Sequence, residues 1–426
     1  MRAILTEAGL TWEIQDRRSR GKSVGAGRLP PTKMVLRDYQ ITMINAALGR
    51  ENCLLRAGTG SGKTTVAIAL ASRIGLYTLI IVWSANLFDQ WIERIEAELG
   101  VPAKDIGIIR GSRISIKPIT VAMQQTIAAK DPETLPLDVF GTVICDEVQR
   151  FAAKTLFAAV ELWPARYRVG ISADESRKDK KEFLTYDLFG DVAADIKRDD
   201  LIISGNVLDV EVRIVETDFR FPRYAETKDF NELLEGMRTD EPRNQIILDL
   251  ARAELSQGQQ CFVLSHRREH CVDLCNRLNT SYKSGLLLGN KTVKDAKLFA
   301  AVKQGMLSGA ILAGVGTVQA IGQALDIPAI GRSICGTPVA SNKQAVGQIR
   351  GRICRPSEAT GKKDAILYYL FDRHVFGIQH VENLIKWNNK VTVRQGDQWI
   401  DAREYVKNWH NPRDDRATDF EFLEKW

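Results

Sequence analysis

The apolar strand Cys53-Leu54-Leu55 runs into Arg56-Ala57-Gly58-Thr59-Gly60-Ser61-Gly62-Lys63-Thr64-Thr65 and then into a helical pattern. No other stretch restricts the fold so tightly. Glycines at 58, 60 and 62 let the backbone turn so sharply that several N–H groups point into one concavity, and the positive end of the following helix faces the same place. A nucleoside triphosphate fits such a cradle. Lys63 reaches the β- and γ-phosphates, and the Thr64 hydroxyl holds Mg²⁺. In the pattern G-x-x-x-x-G-K-[ST], Ala57 stands where the first glycine would be.

A strand–turn–helix of this kind belongs to an α/β sheet, and the chain supplies the other strands. Thr78–Val82, Ile119–Ala122, Thr142–Cys145 and Arg168–Ile171 are short, β-branched, non-alternating runs separated by helical patterns. They imply a parallel sheet buried on both faces. A second series follows at Cys261–Leu264, Gly285–Leu288, Ala310–Ala313, Ser333–Cys335 and Ala365–Tyr368. The expected organisation is a small N-terminal appendage over 1–30, a first domain over 31–205 and a connector over 206–240. A second domain over 241–385 and a C-terminal tail over 386–426 complete it. The chain of 426 residues has room for this.

At 44% hydrophobic and 26% charged residues, the chain has a globular composition. No apolar run reaches the ~20 residues that span a bilayer, so a soluble, intracellular protein is expected, with no membrane partner. The net charge of +6 suits a polyanionic partner. Residues 1–40 hold eight Lys/Arg against four Asp/Glu, with Arg17, Arg18, Arg20, Lys22 and Arg28 in a loop open to two readings, contact with phosphates or plain solvation. Seven scattered cysteines do not suggest a disulfide framework. His266, His270, Cys271 and Cys275 have the look of metal ligands, but Cys271, Leu274, Cys275 and Leu278 form an i, i+3, i+4, i+7 core stripe. Four of the eight tryptophans lie from Trp387 onward, yet the final 26 residues have five Lys/Arg against seven Asp/Glu, which favours packing on the second domain over base stacking.

Asp146-Glu147-Val148-Gln149 directly follows the strand Thr142–Cys145, at the sheet edge where open α/β sheets bind ligands. Asp146 can hold Mg²⁺ and Glu147 can orient or deprotonate a water. With both motifs in view, the sequence resembles the superfamily-two, DEAD/DEAH-like helicases and translocases from about residue 34 to 375. Arg37 and Gln40 in Leu-Arg-Asp-Tyr-Gln match that family's adenine-recognising motif, and its phosphate loop, written A-x-x-G-x-G-K-T, accommodates Ala57. Ser172-Ala173 matches the start of its Ser/Thr-Ala-Thr coupling motif. Gly316-Thr317 and Leu325-Asp326-Ile327-Pro328 resemble its motif that touches both nucleic acid and the nucleotide pocket. Gln348-Ile349-Arg350-Gly351-Arg352-Ile353-Cys354-Arg355 fits Q-x-x-G-R-x-x-R, the arginine-finger motif.

The resemblance implies two tandem RecA-like parallel-sheet domains with an ATP cleft between them. It implies ATP and Mg²⁺ as cofactors, with Gly58, Thr59, Gly60, Ser61, Gly62, Lys63, Thr64, Arg37, Gln40, Gln348 and Asp326 around the nucleotide. Lys63, Asp146, Glu147, Arg352 and Arg355 would be catalytic, with Thr64 and Asp146 on Mg²⁺. A finger of this type is worth ~10³–10⁵ in rate. Ser84, Gln90, Gln124 and Gln125, and Ser265, His266, Arg267 and Thr317, would line the nucleic-acid path.

Trp83-Ser84 for Pro-Thr, Gln149 for His, Asp174 for Thr and Gln323-Ala324 for Glu-Gly are departures from the family pattern. The run Asp174 to Asp179, with Leu188-Phe189-Gly190, Thr217-Asp218-Phe219 and Arg243-Asn244, is similar to the phage branch-migration helicases and the transcription-repair and restriction translocases. The expected function is an ATP-dependent DNA helicase or translocase on duplex, forked or branched DNA. An RNA helicase, or an ATP-clamped annealing protein without processive unwinding, is the alternative.

Overall fold

The computed structural model describes residues 6–409 apart from positions 8, 10–15, 26–28, 152–157, 174–181, 222–228, 290–292, 325–326 and 340–342. The chain divides into two compact units, with the boundary at Lys197 and Arg198. Among the described residues no helix is long and apolar enough to cross a membrane.

The first unit is built on an eight-stranded sheet: β1 Asn52–Ala57, β2 Thr78–Val82, β3 Gly107–Arg110, β4 Arg113–Ser115, β5 Ile119–Met123, β6 Thr142–Asp146, β7 Tyr167–Ser172 and β8 Val192–Ile196. Their order is β4-β3-β5-β2-β6-β7-β1-β8, parallel throughout except for the β3–β4 hairpin. The β-branched runs are buried on both faces. Leu55, Ile80, Val121 and Ile144 pack to one side, and Leu54, Ile81, Ala122 and Val143 to the other. Strands β3, β4 and β8 escape the sequence reading because they lie toward the sheet margins, are short, and carry arginine, serine or aspartate among their apolar residues.

The basic loop near the N-terminus keeps the side chains of Arg17, Arg18, Arg20 and Lys22 exposed while its backbone is held in place. Its backbone is strapped across the start of the strands: Lys22 N–H donates to the Val139 carbonyl (2.8 Å), Tyr77 N–H to the Lys22 carbonyl (2.8 Å) and Arg166 N–H to the Ser19 carbonyl (2.9 Å). The crossing is so close that a Cβ on Gly21 would lie 2.2 Å from Gly141 N, and one on Gly141 would lie 2.0 Å from Arg20 O. Arg18 is committed to Asp16 (2.7 Å) and Glu51 (2.9 Å). Of the expected N-terminal appendage, residues 1–5, 8, 10–15 and 26–28 lie outside the described residues.

The second unit holds β9 Val210–Thr217, β10 Cys261–Ser265, β11 Ser284–Leu287, β12 Ala313–Thr317, β13 Arg332–Cys335, β14 Ala365–Asp372, β15 Val391–Gln395 and β16 Gln398–Asp401. The order is β11-β12-β10-β13-β14-β9-β15-β16, with only β15–β16 antiparallel. Two expectations change. The 206–240 segment is not merely a connector, because β9 is an interior strand that pairs along its length with β14 and also with β15. The strand expected at Ala310–Ala313 begins only at Ala313. Ile311 is drawn instead against the helix Val293–Leu307, where a Cβ on Gly305 would lie 2.7 Å from its side chain. The tail adds β15 and β16 to the sheet, and Trp399 packs beside Tyr368 with the Arg213 guanidinium 5.2 Å from its ring centre.

At the ends of β9 and β14, Arg243 and Asp372 form a buried ion pair. Nε donates to Oδ1 at 2.7 Å and Nη2 to Oδ2 at 3.1 Å, while the Gly336 carbonyl (2.6 Å) and the Thr217 hydroxyl (2.6 Å) complete the set. Both side chains are essentially inaccessible, so removing one leaves a buried charge without its counter-ion. Arg243→Met is expected to lower stability by about 3–5 kcal/mol in denaturant unfolding, and Arg243→Met with Asp372→Leu to recover much of it; a loss below about 1 kcal/mol for the single variant contradicts this role.

Candidate active site

At the end of β1 the chain turns through Gly60 (φ +91°) and Gly62 (φ +78°), and Gly62 caps the helix Lys63–Ile74. Both φ values lie in the left-handed region that glycine adopts without strain. A Cβ on Gly62 would also fall 2.6 Å from Gln40 Nε2. Gln40 is buried, and its Oε1 accepts from Arg37 N–H (2.9 Å), which ties the expected adenine motif to the start of its own helix and brings its amide against the phosphate loop. Lys63 is buried too, with Nζ 3.0 Å from the Ala57 carbonyl. A concavity that side chains would fill, a helix N-terminus and an ammonium group among carbonyls fit a polyphosphate.

Strand β6 ends on Asp146, buried, whose Oδ2 accepts from Trp91 Nε1–H (3.0 Å). Burial, and then the adjacent Glu147 carboxylate, push its carboxyl up to about 7, partly offset by Lys63. Asp146 and the Thr64 hydroxyl, one residue into the helix that follows the phosphate loop, are oxygen donors of the kind Mg²⁺ takes. Glu147 sits at φ +56°, a strained conformation for a residue with a Cβ, as found where a side chain must be aimed. Its Oε2 accepts from Gln149 Nε2–H, and Gln149 Oε1 accepts from the Ser172 hydroxyl at 2.7 Å. Gln149, a departure from the family pattern, therefore joins Glu147 to Ser172 across the edges of β6 and β7; Ala173 follows directly. Asp174–Asp179 lie outside the described residues.

The residues expected along a nucleic-acid path stand at carboxyl ends of strands or in the helices just beyond, but several serve local structure. Ser84 caps the helix Ala85–Leu99 by accepting from Leu87 N–H (3.3 Å), and Gln90 is half-buried one turn further on. Gln125 donates to the Trp83 carbonyl (2.9 Å); Gln124 is buried, and its Oε1 has no partner among the described residues. In the second unit Ser265 and Thr317 are neighbours in register on β10 and β12. His266 Nδ1 lies 2.8 Å from the Thr337 hydroxyl, and Arg267 donates to the Asn231 carbonyl (2.7 Å). Thr337, Trp91 and the bridging role of Gln149 had no sequence signal.

Gln348 and Arg352 lie on the helix Lys343–Ile353, with Arg355 just beyond it, all half-buried. Arg350 is also half-buried and not a solvated member of a basic face. Asp326 lies outside the described residues. The His/Cys group is a core feature: among the described residues no cluster could hold a metal ion, Cys271 and Cys275 are buried, and burial pushes their thiols up to about 12 and about 11.

His270 Nε2 lies 2.8 Å from Asn244 Oδ1 and Nδ1 3.0 Å from Ser265 Oγ; because Asn244 Nδ2 donates to the Arg238 carbonyl, Oδ1 is the acceptor and Nε2 carries the proton.

Residues 33–175 match the family model described as "Type III restriction enzyme, res subunit". The chain is 24% identical to "Probable helicase D10" of Escherichia phage T5, covering 93% of this chain and 82% of that protein. It is 25% identical to "DNA 3'-5' helicase XPB" of Kineococcus radiotolerans, covering 75% of this chain and 57% of the relative. It therefore spans less than two thirds of the latter. The solved structure of S. cerevisiae Dbp5 bound to RNA and ADP BeF3 superposes with a TM-score of 0.58 at 12% identity, covering 88% of this chain and 91% of the other. That likeness is one of fold, and both units have the RecA-like architecture expected from the sequence.

Burial and the nearby Arg243 and Arg238 hold the His270 imidazole down to about 3, below the ordinary 6.5. The folded state thus favours the neutral ring, so its contribution is complete above pH 6.5 and is lost as pH falls from there toward about 3. Between pH 7 and pH 5 the wild type should lose about 2 kcal/mol more unfolding free energy than His270→Gln; parallel pH profiles for the two proteins contradict the assignment.

Proposed function

We propose that this chain, a superfamily-two helicase or translocase, couples ATP hydrolysis to movement on or remodelling of DNA. The observation that carries the reading is the convergence, at one edge of the first sheet, of the phosphate loop with Asp146-Glu147 and, through Gln149, with Ser172. The named helicase relatives support it, and the surplus of positive charge suits a polyanion.

ATP with Mg²⁺ supplies a phosphoryl group whose transfer to water is strongly downhill. Lys63 and the loop N–H groups hold the phosphate charge, Asp146 and Thr64 hold the cation, and Arg37 and Gln40 select the base. Glu147 takes the proton of the attacking water, its carboxylate aimed by the left-handed backbone and steadied by Gln149. Arg352 and Arg355 meet the charge that spreads over the phosphoryl oxygens during transfer. The Ser172–Gln149–Glu147 chain supplies a path by which the state of the site reaches the sheet edge that bears Ser84, Gln124 and Gln125, the proposed DNA-facing residues. Ser265, His266, Arg267 and Thr317 have the same role in the second unit.

ATPase rate measured with no nucleic acid, single-stranded DNA, duplex, fork, four-way junction and RNA tests the reading. Duplex or branched DNA should raise turnover most. A rate indifferent to every form overturns the proposal, and stimulation by RNA alone replaces it with an RNA helicase. On the best DNA, Gln149→Ala should cut stimulated turnover about tenfold while leaving nucleotide affinity unchanged; retention of full stimulation removes Gln149 from the mechanism.

A further inference from the structure

Arg350 stands two residues before Arg352 on the helix Lys343–Ile353, and a two-residue step turns an α-helix by about 200°, so the two side chains leave on opposite faces. Its Nη1 donates to the Trp387 carbonyl and to Asn388 Oδ1, both at 2.5 Å. These acceptors close the helix Gln379–Trp387, where the carbonyl end favours a cation. Asn388 is itself buried, and its Nδ2 donates to the Leu384 carbonyl (2.6 Å), so one amide both finishes that helix and receives Arg350. Just past the same end of the Arg352 helix, Leu208 N–H donates to the Cys354 carbonyl at 2.6 Å.

This placement is costly for an arginine. Nε is buried and has no partner among the described residues. Burial, and then the neighbouring Arg198, push the guanidinium down from its ordinary range, with Cys354, Asp209 and Asp199 acting the other way. A residue needed only to fill this space would be neutral, whereas a charged nitrogen held to two oxygens at once ties the helix to a fixed place. The chain beyond Asn388 enters the sheet as β15 beside β9, so Arg350 Nη1 joins the Arg352 helix to the added C-terminal strands.

We propose that Arg350 is a positioning residue for Arg352: through Trp387 and Asn388 it sets the orientation of the helix that carries the arginine, and ATP turnover depends on that setting. The inference rests on the reading of Arg352 as a residue of turnover. It also makes the junction at Asn388 part of the ATPase machinery.

Full-length Arg350→Ala, Arg350→Lys, Asn388→Ala, Arg350→Ala with Asn388→Ala, and Arg352→Ala are compared for kcat, KM for ATP, affinity for a fluorescent non-hydrolysable ATP analogue, and thermal midpoint. Arg350→Ala is expected to lower kcat about tenfold or more with KM and analogue affinity within about twofold of wild type. Asn388→Ala should show part of that loss, the double variant should be no worse than Arg350→Ala, and Arg350→Lys, whose ammonium sits on a flexible stem in place of the rigid guanidinium plane, should recover little. Arg352→Ala should lose more, about a hundredfold or beyond. A fully active Arg350→Ala beside a crippled Arg352→Ala overturns the positioning role alone. An Arg352→Ala with normal turnover overturns the reading beneath it. Loss of analogue affinity in step with the thermal midpoint marks a general loss of structure and also overturns the positioning role. Should Arg350→Ala fail to fold, Arg350→Lys and Asn388→Ala decide by the same criteria.

Discussion

Parallel pairing of β1, β6 and β7 is the constraint from which the first unit's chemistry follows. A parallel sheet puts every strand's carboxyl end on one edge, so the turns after Ala57, Asp146 and Ser172, far apart in the chain, arrive together. The pairing in turn depends on covering both faces with apolar side chains, which is why these strands read as unbroken β-branched runs. What remains is local aim. Glycine at 60 and 62 takes the backbone where other residues strain, and Glu147 tolerates such strain to present its carboxylate.

Polar side chains then divide into those that build the edge and those left to act on a ligand. Ser84 and Gln125 are held by local backbone groups, as polar residues at strand ends commonly are. Gln149 does something less local, because it donates to one carboxylate oxygen and accepts from a serine on the next strand. In the second unit the buried Arg243–Asp372 pair and the Asn244–His270–Ser265 chain fix the strand ends that carry the proposed DNA-facing residues. Arg350 extends the same logic to the far side of the Arg352 helix.

Much of this was legible in the sequence because it depends on short-range pattern. The strands β1, β2, β5, β6 and β7 show themselves by apolar runs, and the phosphate loop and Asp146-Glu147 by spacing. What escaped depends on tertiary pairing. Val210–Thr217 alternates like an exposed strand, yet its place between β14 and β15 gives it an interior position, which no local pattern encodes. The basic N-terminal loop is judged by charge in the sequence but held by backbone hydrogen bonds in the fold. Trp91 and Arg350 look like an ordinary helix aromatic and an ordinary helix cation until their partners 55 and 38 residues away are known.

Joint binding of ATP with Mg²⁺ by the loop after β1 and the end of β6 is decided by titrating wild type, Lys63→Ala and Asp146→Asn with a fluorescent ATP analogue, with and without Mg²⁺. Joint binding predicts wild-type affinity that Mg²⁺ tightens, affinity weakened at least about tenfold by Lys63→Ala, and loss of the Mg²⁺ effect in Asp146→Asn. Equal affinity and equal Mg²⁺ dependence in all three proteins would contradict it.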